Sequence, residues 1–557
     1  MIRIGNASGF YGDRFDAVKE MLTGGELDYL TGDYLAELTM LILGRDRMKD
    51  PARGYARTFL RQLEENLGLA ADKRVRIVTN AGGLNPAGLA DAIRELAQRL
   101  GIGLNVSHVE GDDLRQNGFD GALTANAYLG CWGIVECLNA GADIVVTGRV
   151  TDASLVAGPA AAHYGWGRTD FDALAGATVA GHVIECGTQA TGGNFAFFTE
   201  LSDLTHPGFP IAEIDAAGDA VITKHPGTGG AVTVDTVKAQ LLYEIAGPRY
   251  LGPDVTSRFD TIQLADAGPD RVAVSGTRGD APPDTVKVCV NTLDGFRNSM
   301  TFVLCGLDIE EKAALARRQL TAAIGDDGLG WTLARTDHAD ADTEEAASAL
   351  LHVTIKTPDA KRAKAFSRAS VELALASYPG CTPTSPPGDG TPVGVYRPEY
   401  VPQQAIEQVA VLPDGERRAI APPTDTASPT LAPRESNAPG PRVQPSGPTR
   451  RVPLGTVAGA RSGDKGGDAN LGVWVRDPAA YPWLAHELTA DRIRELLPEA
   501  KDLDIERHPL PNLHAVNFVL HGLLGQGVAA STRFDPQAKS LGEWLRSRLV
   551  DVPEEFL

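Results

Sequence analysis

The chain has 557 residues, too many for a single core at roughly 100–200 residues per domain, and its 43% apolar and 22% charged residues are the balance of a globular protein. A formal net charge of −20 opposes nucleic acid and anionic lipid, which both need a basic face, so neither nucleic acid nor a membrane is expected as a partner. The opening MIRIGNASGFYGDRFD lacks an apolar signal core, no stretch approaches the ~18 apolar residues of a membrane span, and the six cysteines form no CxxC pair; a cytoplasmic location is expected, with neither a disulfide framework nor structural zinc.

Residues 1–223 alternate short β-branched runs with amphipathic segments. VRIVTN (75–80) reads as a buried strand that ends in the loop AGGLNP. GLADAIRELAQRLGI follows as a helix with Leu89, Ile93, Leu96 and Leu100 on one face, and LNVSHVEGDDL returns to strand. GADIVVTGRVTDASL repeats the strand–loop–helix order, the grammar of a mostly parallel, Rossmann-like α/β sheet. Its ligand crevice is expected at the C-terminal ends of the strands. Residues 224–411 alternate in VAVSG, VKVCVNTL and LLHVTIKT, with helical IEEKAALARRQLTAAIG and AKAFSRASVELALAS, and read as α+β. Residues 412–450 turn to Pro, Ser, Thr and Ala, the composition of an extended linker. Residues 451–557 read as a small α/β domain of ferredoxin-like kind. It has two strands around the glycines of ARSGDKGGDAN, a helix in LTADRIRELL with Thr489 as N-cap, a strand in LHAVNFVLHG and a helix in SLGEWLRSRL.

Six polar loops are candidates for chemistry. In ARSGDKGGDAN the glycines at 463, 466 and 467 let N–H groups converge on an anion. Arg461 and Lys465 add positive charge, Asp464 and Asp468 suit acid/base work or a hard cation, and Ser462 and Asn470 add polar contacts; the alternative is a tight turn paired locally. ECGTQATGGN offers Cys186 as a nucleophile with His182 four residues before it, and Gly192, Gly193 and Asn194 as a ligand loop. GHVIECG reads at least as well as a strand, which would hold the two side chains apart. AGGLNP places Asn80, Gly82, Gly83 and Asn85 between a strand and a helix N-terminus, without the GxGxxG spacing of a dinucleotide site. TGRVTDAS sets Arg149 and Asp152 past a strand, as an active-site pair or as a helix start. Asn6 and Ser8 lie in a Gly-rich loop after the first strand, and His225 in KHPGTGG is an acid/base candidate near neutral pH. No metal site is assigned: His508, His514 and His521 match no metal motif. No cofactor is identified, and a need for a divalent metal is left open.

GNASGFYGDR, TNAGGLNP, VVTGRVTDASL, IECGTQATGGNF and KHPGTGGAVTVDTVKAQLLYEI together resemble the acyclic terpene utilisation (AtuA) family, and ARSGDKGGDANLGVWV resembles its ferredoxin-like C-terminal domain. The resemblance implies a bacterial setting in the breakdown of acyclic isoprenoids such as citronellol and geraniol through CoA thioesters. It brings no assigned catalytic residue. Two functions are expected of such a chain. One is an enzyme acting on an acyl-CoA or related carboxylate, by hydratase, lyase or hydrolase chemistry. The alternative is a non-catalytic binding or scaffold protein for a CoA-thioester pathway. A homo-oligomer is expected, and the small domain is a candidate to complete the large domain's site across a subunit interface.

Overall fold

The computed structural model describes residues 1–428 and 447–557. Residues 429–446, the centre of the stretch read as a linker, lie outside the described residues. Five short strands form the parallel heart: β1 (Ile2–Asn6), β2 (Tyr29–Gly32), β3 (Arg76–Thr79), β4 (Val106–Glu110) and, after the separate strand β5 (Thr124–Ala127), β6 (Ile144–Thr147). They lie in the order β1-β2-β3-β6-β4, every neighbour parallel. Nearly every residue in them is buried, as expected where helices cover both faces. One covering helix is α1 (Pro86–Leu100), started by Asn85, whose side chain accepts from Gly88 N. Its buried stripe is Leu89, Ala90, Ile93, Leu96 and Ala97; Leu100, expected on that face, is 46% exposed where the helix ends.

Antiparallel strands extend both edges to eleven strands in all. β7 (Pro210–Ile214) and β8 (Ala220–Lys224) join through a turn in which Asp215 accepts from Ala217 and Asp219 N–H. Strands Arg271–Ser275 and Gln263–Asp266 follow beyond β8. At the far edge Val409–Val411 and Arg417–Ala419 make a hairpin on β4. This corrects the linker reading at its start: PDG after VAVL is a turn signal, and it returns the chain to the sheet. A second correction concerns GHVIECG. Helix α2 (Ser154–Tyr164) is followed by α3 (Phe171–Ile184), which carries His182. α3 is buried almost all round, so its sequence shows no helical period to set against the strand reading.

The small domain is a four-stranded antiparallel sheet built from β9 (Ala458–Lys465), β10 (Asp468–Val475), β11 (Ile505–Leu510) and β12 (Ala515–Leu520), in the order β9-β10-β12-β11. Helices Tyr481–Glu487, Ala490–Leu496 and Leu541–Arg546 flank it, and Thr489 caps the second by accepting from Arg492 N. Its core holds Leu471, Ile493 and Phe518. Two compact units result. The first contains Met1–Asn291, Tyr396–Val528 and Asp535–Leu557, so the small domain and the parallel sheet share it. The second contains Thr292–Val395 and Ala529–Phe534. There strands Leu329–Ala334 and Ser348–Thr357, with the later part of the long strand Thr285–Cys305, pack antiparallel under helices Ile309–Ile324 and Ala360–Glu372, on a core that includes Phe302, Leu320, Leu351 and Phe366. Among the described residues no helix is long and apolar enough to cross a membrane.

Candidate active site

Each parallel strand delivers a polar residue at or just past its C-terminal end: Asn6 from β1, Asp33 from β2, Asn80 from β3, Asp112 from β4 and Arg149 from β6. Adjacent parallel strands place these side by side, which is why such sheets bind ligands at this edge. Asn80 donates to Asp33 Oδ1 at 2.5 Å and accepts from Tyr34 N at 2.7 Å. Arg149 is 2% exposed; its Nη1 donates to Leu35 O at 3.0 Å and to Asp152 Oδ1 at 2.5 Å, and its guanidinium lies 4.1 Å from the Tyr128 ring centre. Asp112 accepts Arg149 N–H at 2.9 Å and Asn126 Nδ2 at 2.7 Å, and burial pushes its carboxyl up to about 6. Asn6 donates to the carbonyls of Ile184 and Glu185 at the end of α3, which fixes where Glu185 stands.

Carboxyl groups outnumber cations here. Asp33, Glu37, Asp152, Glu185, Glu244 and Asp464 are linked by a chain of electrostatic interactions that also takes in Arg149, Lys287 and Lys465. Burial would raise Glu37, but Lys287 and Arg149 beside it and the Tyr128 hydroxyl, which donates at 2.8 Å, bring it down to about 2. The others go the opposite way. Burial, then the charge of Asp152, raises Asp33 and Glu185 well above the carboxylate range. Burial, with Glu37 adding repulsion, also raises Glu244, and burial with Glu244 and Glu37 pushes Asp464 up to about 8. Like charges in a low-dielectric site cannot all ionise, so some of these groups hold protons at neutral pH. Lys465 is lowered, first by burial and then by Lys287. His182 is pushed down to about 4 by burial, so its ring is neutral, 3.1 Å from Glu185 Oε1 and against Tyr250 and Phe259. The site is reachable, since the side chains of Glu37, Asp152 and Lys287 keep 26, 25 and 28% of their surface open.

The small domain supplies the opposite wall. β9 and β10 form one hairpin with Gly466 and Gly467 at its turn, and Asp464 and Lys465 end the first strand. Lys465 Nζ donates to Glu244 O at 2.7 Å, and Glu244 N–H donates to Asn470 Oδ1 at 2.8 Å. Asn470 in turn donates to Asn517 Oδ1, and Asn517 Nδ2 donates to Ile245 O at 3.3 Å. Both asparagines are fully buried. Glu244 has φ 58, the left-handed region, at a cost of about 1 kcal/mol for a residue with a Cβ. The amide chain from Asn470 and Asn517 brackets it there. Arg461 donates to Gln189 Oε1 and stacks 4.1 Å from the Tyr243 ring centre. The small domain therefore meets the large one's site within one chain, where a subunit interface was considered.

The sequence model of the family described as acyclic terpene utilisation family protein AtuA matches residues 2–412, and that of the AtuA ferredoxin-like domain matches residues 452–551. The chain belongs to the AtuA family. Membership supports a role in acyclic terpene utilisation. No curated protein and no solved structure matches the chain.

Of the residues singled out in this AtuA-family sequence, Asn6, Asn80, Arg149, Asp152, Cys186, Arg461, Asp464, Lys465 and Asn470 converge on the site. The Cys186 thiol is raised far above its ordinary range by burial and then by Glu244 and Glu185, and the His182 ring engages Glu185 instead. The remaining candidates are engaged in local structure. His225 Nε2 lies 2.9 Å from Met21 O and its ring packs on Gly24 and Gly25. Ser8 Oγ donates to Phe10 O, and Ser462 Oγ accepts Gly542 N–H. Asp468 accepts Gly522 N–H and lies 2.9 Å from His521 Nδ1. A Cβ on Gly82 would fall 2.4 Å from Thr147 O and one on Gly83 2.5 Å from Leu43, so both glycines serve close packing where Asn85 caps α1. Gly192, at φ +112, and Gly193, whose N–H bonds Thr188 O, shape a turn that Asn194 leaves at φ 56. Sequence reasoning missed Asp33, Glu37, Tyr128, Glu185, Glu244, Tyr250 and Lys287. Asp33 was findable, because TGD after YL repeats the strand-end grammar that drew attention to Asn80 and Arg149. Among the described residues no group of three or more His, Cys, Asp or Glu side chains is placed to hold a metal ion.

Proposed function

We propose that this AtuA-family chain is an enzyme that moves protons on an acyl-CoA or a related carboxylate substrate, in the hydratase, lyase or hydrolase class. The observation that carries the reading is the juxtaposition of Asp464 and Glu244, raised toward the neutral acid, with Lys465, lowered toward the neutral amine. An acid raised and an amine lowered toward each other's range are the pairing that general acid–base catalysis uses. Arg149 and Lys287 belong to the same cluster. Their fixed positive charge suits an enolate or oxyanion that develops on a thioester carbonyl. In this scheme Asp464 or Glu244 protonates the leaving oxygen or carbon, and Lys465 accepts the substrate proton.

The test is direct. Full-length protein is incubated with straight and branched acyl-CoAs and the matching free acids, and their loss is followed by mass spectrometry, alongside a thermal-shift screen of the same compounds. One thioester should raise the melting temperature and be consumed, since a ligand that binds only the folded state stabilises it. Glu244→Gln should then lower kcat by about 10²–10⁴-fold, the usual contribution of a positioned acid or base. Folded protein that neither consumes nor is stabilised by any thioester would overturn the reading.

A further inference from the structure

Lys287 and Lys465 both belong to the cluster, in different surroundings. Lys287 Nζ stands 3.4 Å from Glu37 Oε1, and 4.7 and 5.6 Å from the ring centres of Tyr128 and Tyr396. Burial works against its charge, but Tyr128, Tyr396 and Glu37 keep it an ammonium. Lys465 ends β9 half-buried, with Nζ 5.9 Å from the Tyr250 ring centre. Nζ donates to a neutral acceptor, the backbone carbonyl of Glu244, at 2.7 Å. Among the described residues Lys465 makes no ion pair, although carboxyl groups outnumber cations around it. Burial, and after it the charge of Lys287, lowers this amine. A desolvated lysine beside a second cation is an arrangement that makes an amine nucleophilic at neutral pH.

An acid to serve that amine is built beside it. Glu244 is held by the hairpin from both sides, since its N–H donates to Asn470 Oδ1 at 2.8 Å and its carbonyl accepts from Lys465. Burial keeps its carboxyl toward the neutral acid, and that carboxyl and the Lys465 amine interact electrostatically. The half-open side chains of Glu37, Asp152 and Lys287 leave a way in for a small carbonyl compound.

We propose that Lys465 is a nucleophile that takes a ketone or aldehyde carbonyl of the substrate as an imine, with Glu244 as the acid that serves it. The neutral amine adds to the carbonyl carbon, and the C=O π pair moves to oxygen, which takes the Glu244 proton. The nitrogen then returns a proton to the Glu244 carboxylate. Glu244 next protonates the hydroxyl, which leaves as water while the nitrogen lone pair closes the C=N bond of an iminium. The iminium is an electron sink. An α C–H bond, or the bond between the α and β carbons, breaks with its pair passing to nitrogen as an enamine. The inference rests on the acid–base reading of Glu244 and Lys465 and narrows the substrate to an oxo acid or oxoacyl thioester. With such a substrate Lys465 becomes the covalent anchor, and the α proton goes to the Glu244 carboxylate.

Reductive trapping tests this on the natural full-length protein. The protein is incubated at pH 7 with sodium cyanoborohydride and acetone, or with 2-propanol, which has no carbonyl. The reductant delivers a hydride to an iminium and fixes it as a secondary amine. Peptide mass spectrometry should place the acetone adduct on Lys465 and find none with 2-propanol. Lys465 should react at least about tenfold faster than exposed Lys19, because an ordinary lysine keeps less than about a thousandth of its amine neutral at that pH. Adducts on surface lysines with Lys465 unmodified, or a Lys465 rate no higher than that of Lys19, would overturn the inference. Glu244→Gln should slow the Lys465 adduct at least about 10²-fold, the lower end of what a positioned acid supplies, and leave Lys19 unchanged. An unchanged Lys465 rate in that variant would overturn the role given to Glu244. The two readings fail separately. Thioester turnover that is lost in Glu244→Gln, with no adduct at Lys465, would sink the imine and spare the acid–base reading. An adduct at Lys465 in protein that consumes no thioester would leave the nucleophile standing and remove the acyl-thioester reading.

Discussion

Asp464 shows what the cluster does to a single residue. Its carboxyl, ordinarily near 3.8, is pushed up to about 8, first by burial and then by Glu244 and Glu37. The folded chain thus holds this proton more tightly than the unfolded chain. A group raised on folding gives its full stabilisation below the unfolded value and loses it as pH climbs through the folded one. The window here is therefore about pH 4 to 8. Asparagine copies the shape of the protonated acid and cannot ionise. We expect Asp464→Asn to melt close to the natural protein at pH 5 and clearly above it at pH 9, by calorimetry at fixed ionic strength. A difference that did not change with pH would mean that Asp464 is solvated and ordinary. The reason sequence reading picked out Asp464 and passed over Glu244 is also physical. Glycines around Asp464 advertise a special loop, whereas Glu244 sits in LLYEIAG, where nothing local betrays a left-handed φ held from another domain.

At the scale of elements, the hairpin β9–β10 explains why its glycines are there. They were read as a cradle for an anion. Instead Gly463 lies within the strand ladder, paired with Asn470, and a Cβ on it would fall 2.3 Å from the Tyr243 ring. A Cβ on Gly472 would fall 2.5 Å from Leu242. The missing side chains let the hairpin lie flat on residues 241–245, and that approach carries Lys465 to Glu244. The expected strand–turn–strand was legible because it depends on local alternation and turn residues; the packing partner was not, because it lies more than 200 residues away and leaves no periodic trace. Likewise α3 was ambiguous because burial on every side erased its period, while α1, half exposed, was plain. Gly463→Ala should destabilise the chain by about 1–3 kcal/mol, the usual result of overpacking against a fixed ring. Urea denaturation measures this, with Gly103→Ala as control: nothing lies within 4 Å of a Cβ there, and its midpoint should hardly move. Equal midpoints for the two variants would show that the hairpin does not press on Tyr243.

For the whole molecule, the question is whether the small domain docks as a fixed wall of the site or as a loose attachment. The seam between it and the parallel-sheet part is polar and buried. Asn470 and Asn517 bond the 244–245 backbone, Asn512 Nδ2 donates to Phe259 O and Ile262 O at 2.9 Å, and Arg546 Nη1 donates to Ala196 O at 2.9 Å. Trp474, fully buried, stacks on Phe195 with ring centres 6.5 Å apart. Opening such a seam without unfolding would strip buried partners from several polar groups at about 1–3 kcal/mol for each left unsatisfied, and would also expose the indole. Partial opening thus gains little chain entropy for a large loss of contacts. We expect the two parts to open together. In native-state hydrogen exchange, the amides of β12 and of β3 should report the same opening free energy and the same dependence on denaturant. If β12 exchanged through a separate opening several kcal/mol cheaper, with a shallower dependence on denaturant, Lys465 and Asp464 would be mobile relative to Glu244. The proton-exchanging arrangement would then exist only in the closed fraction of molecules.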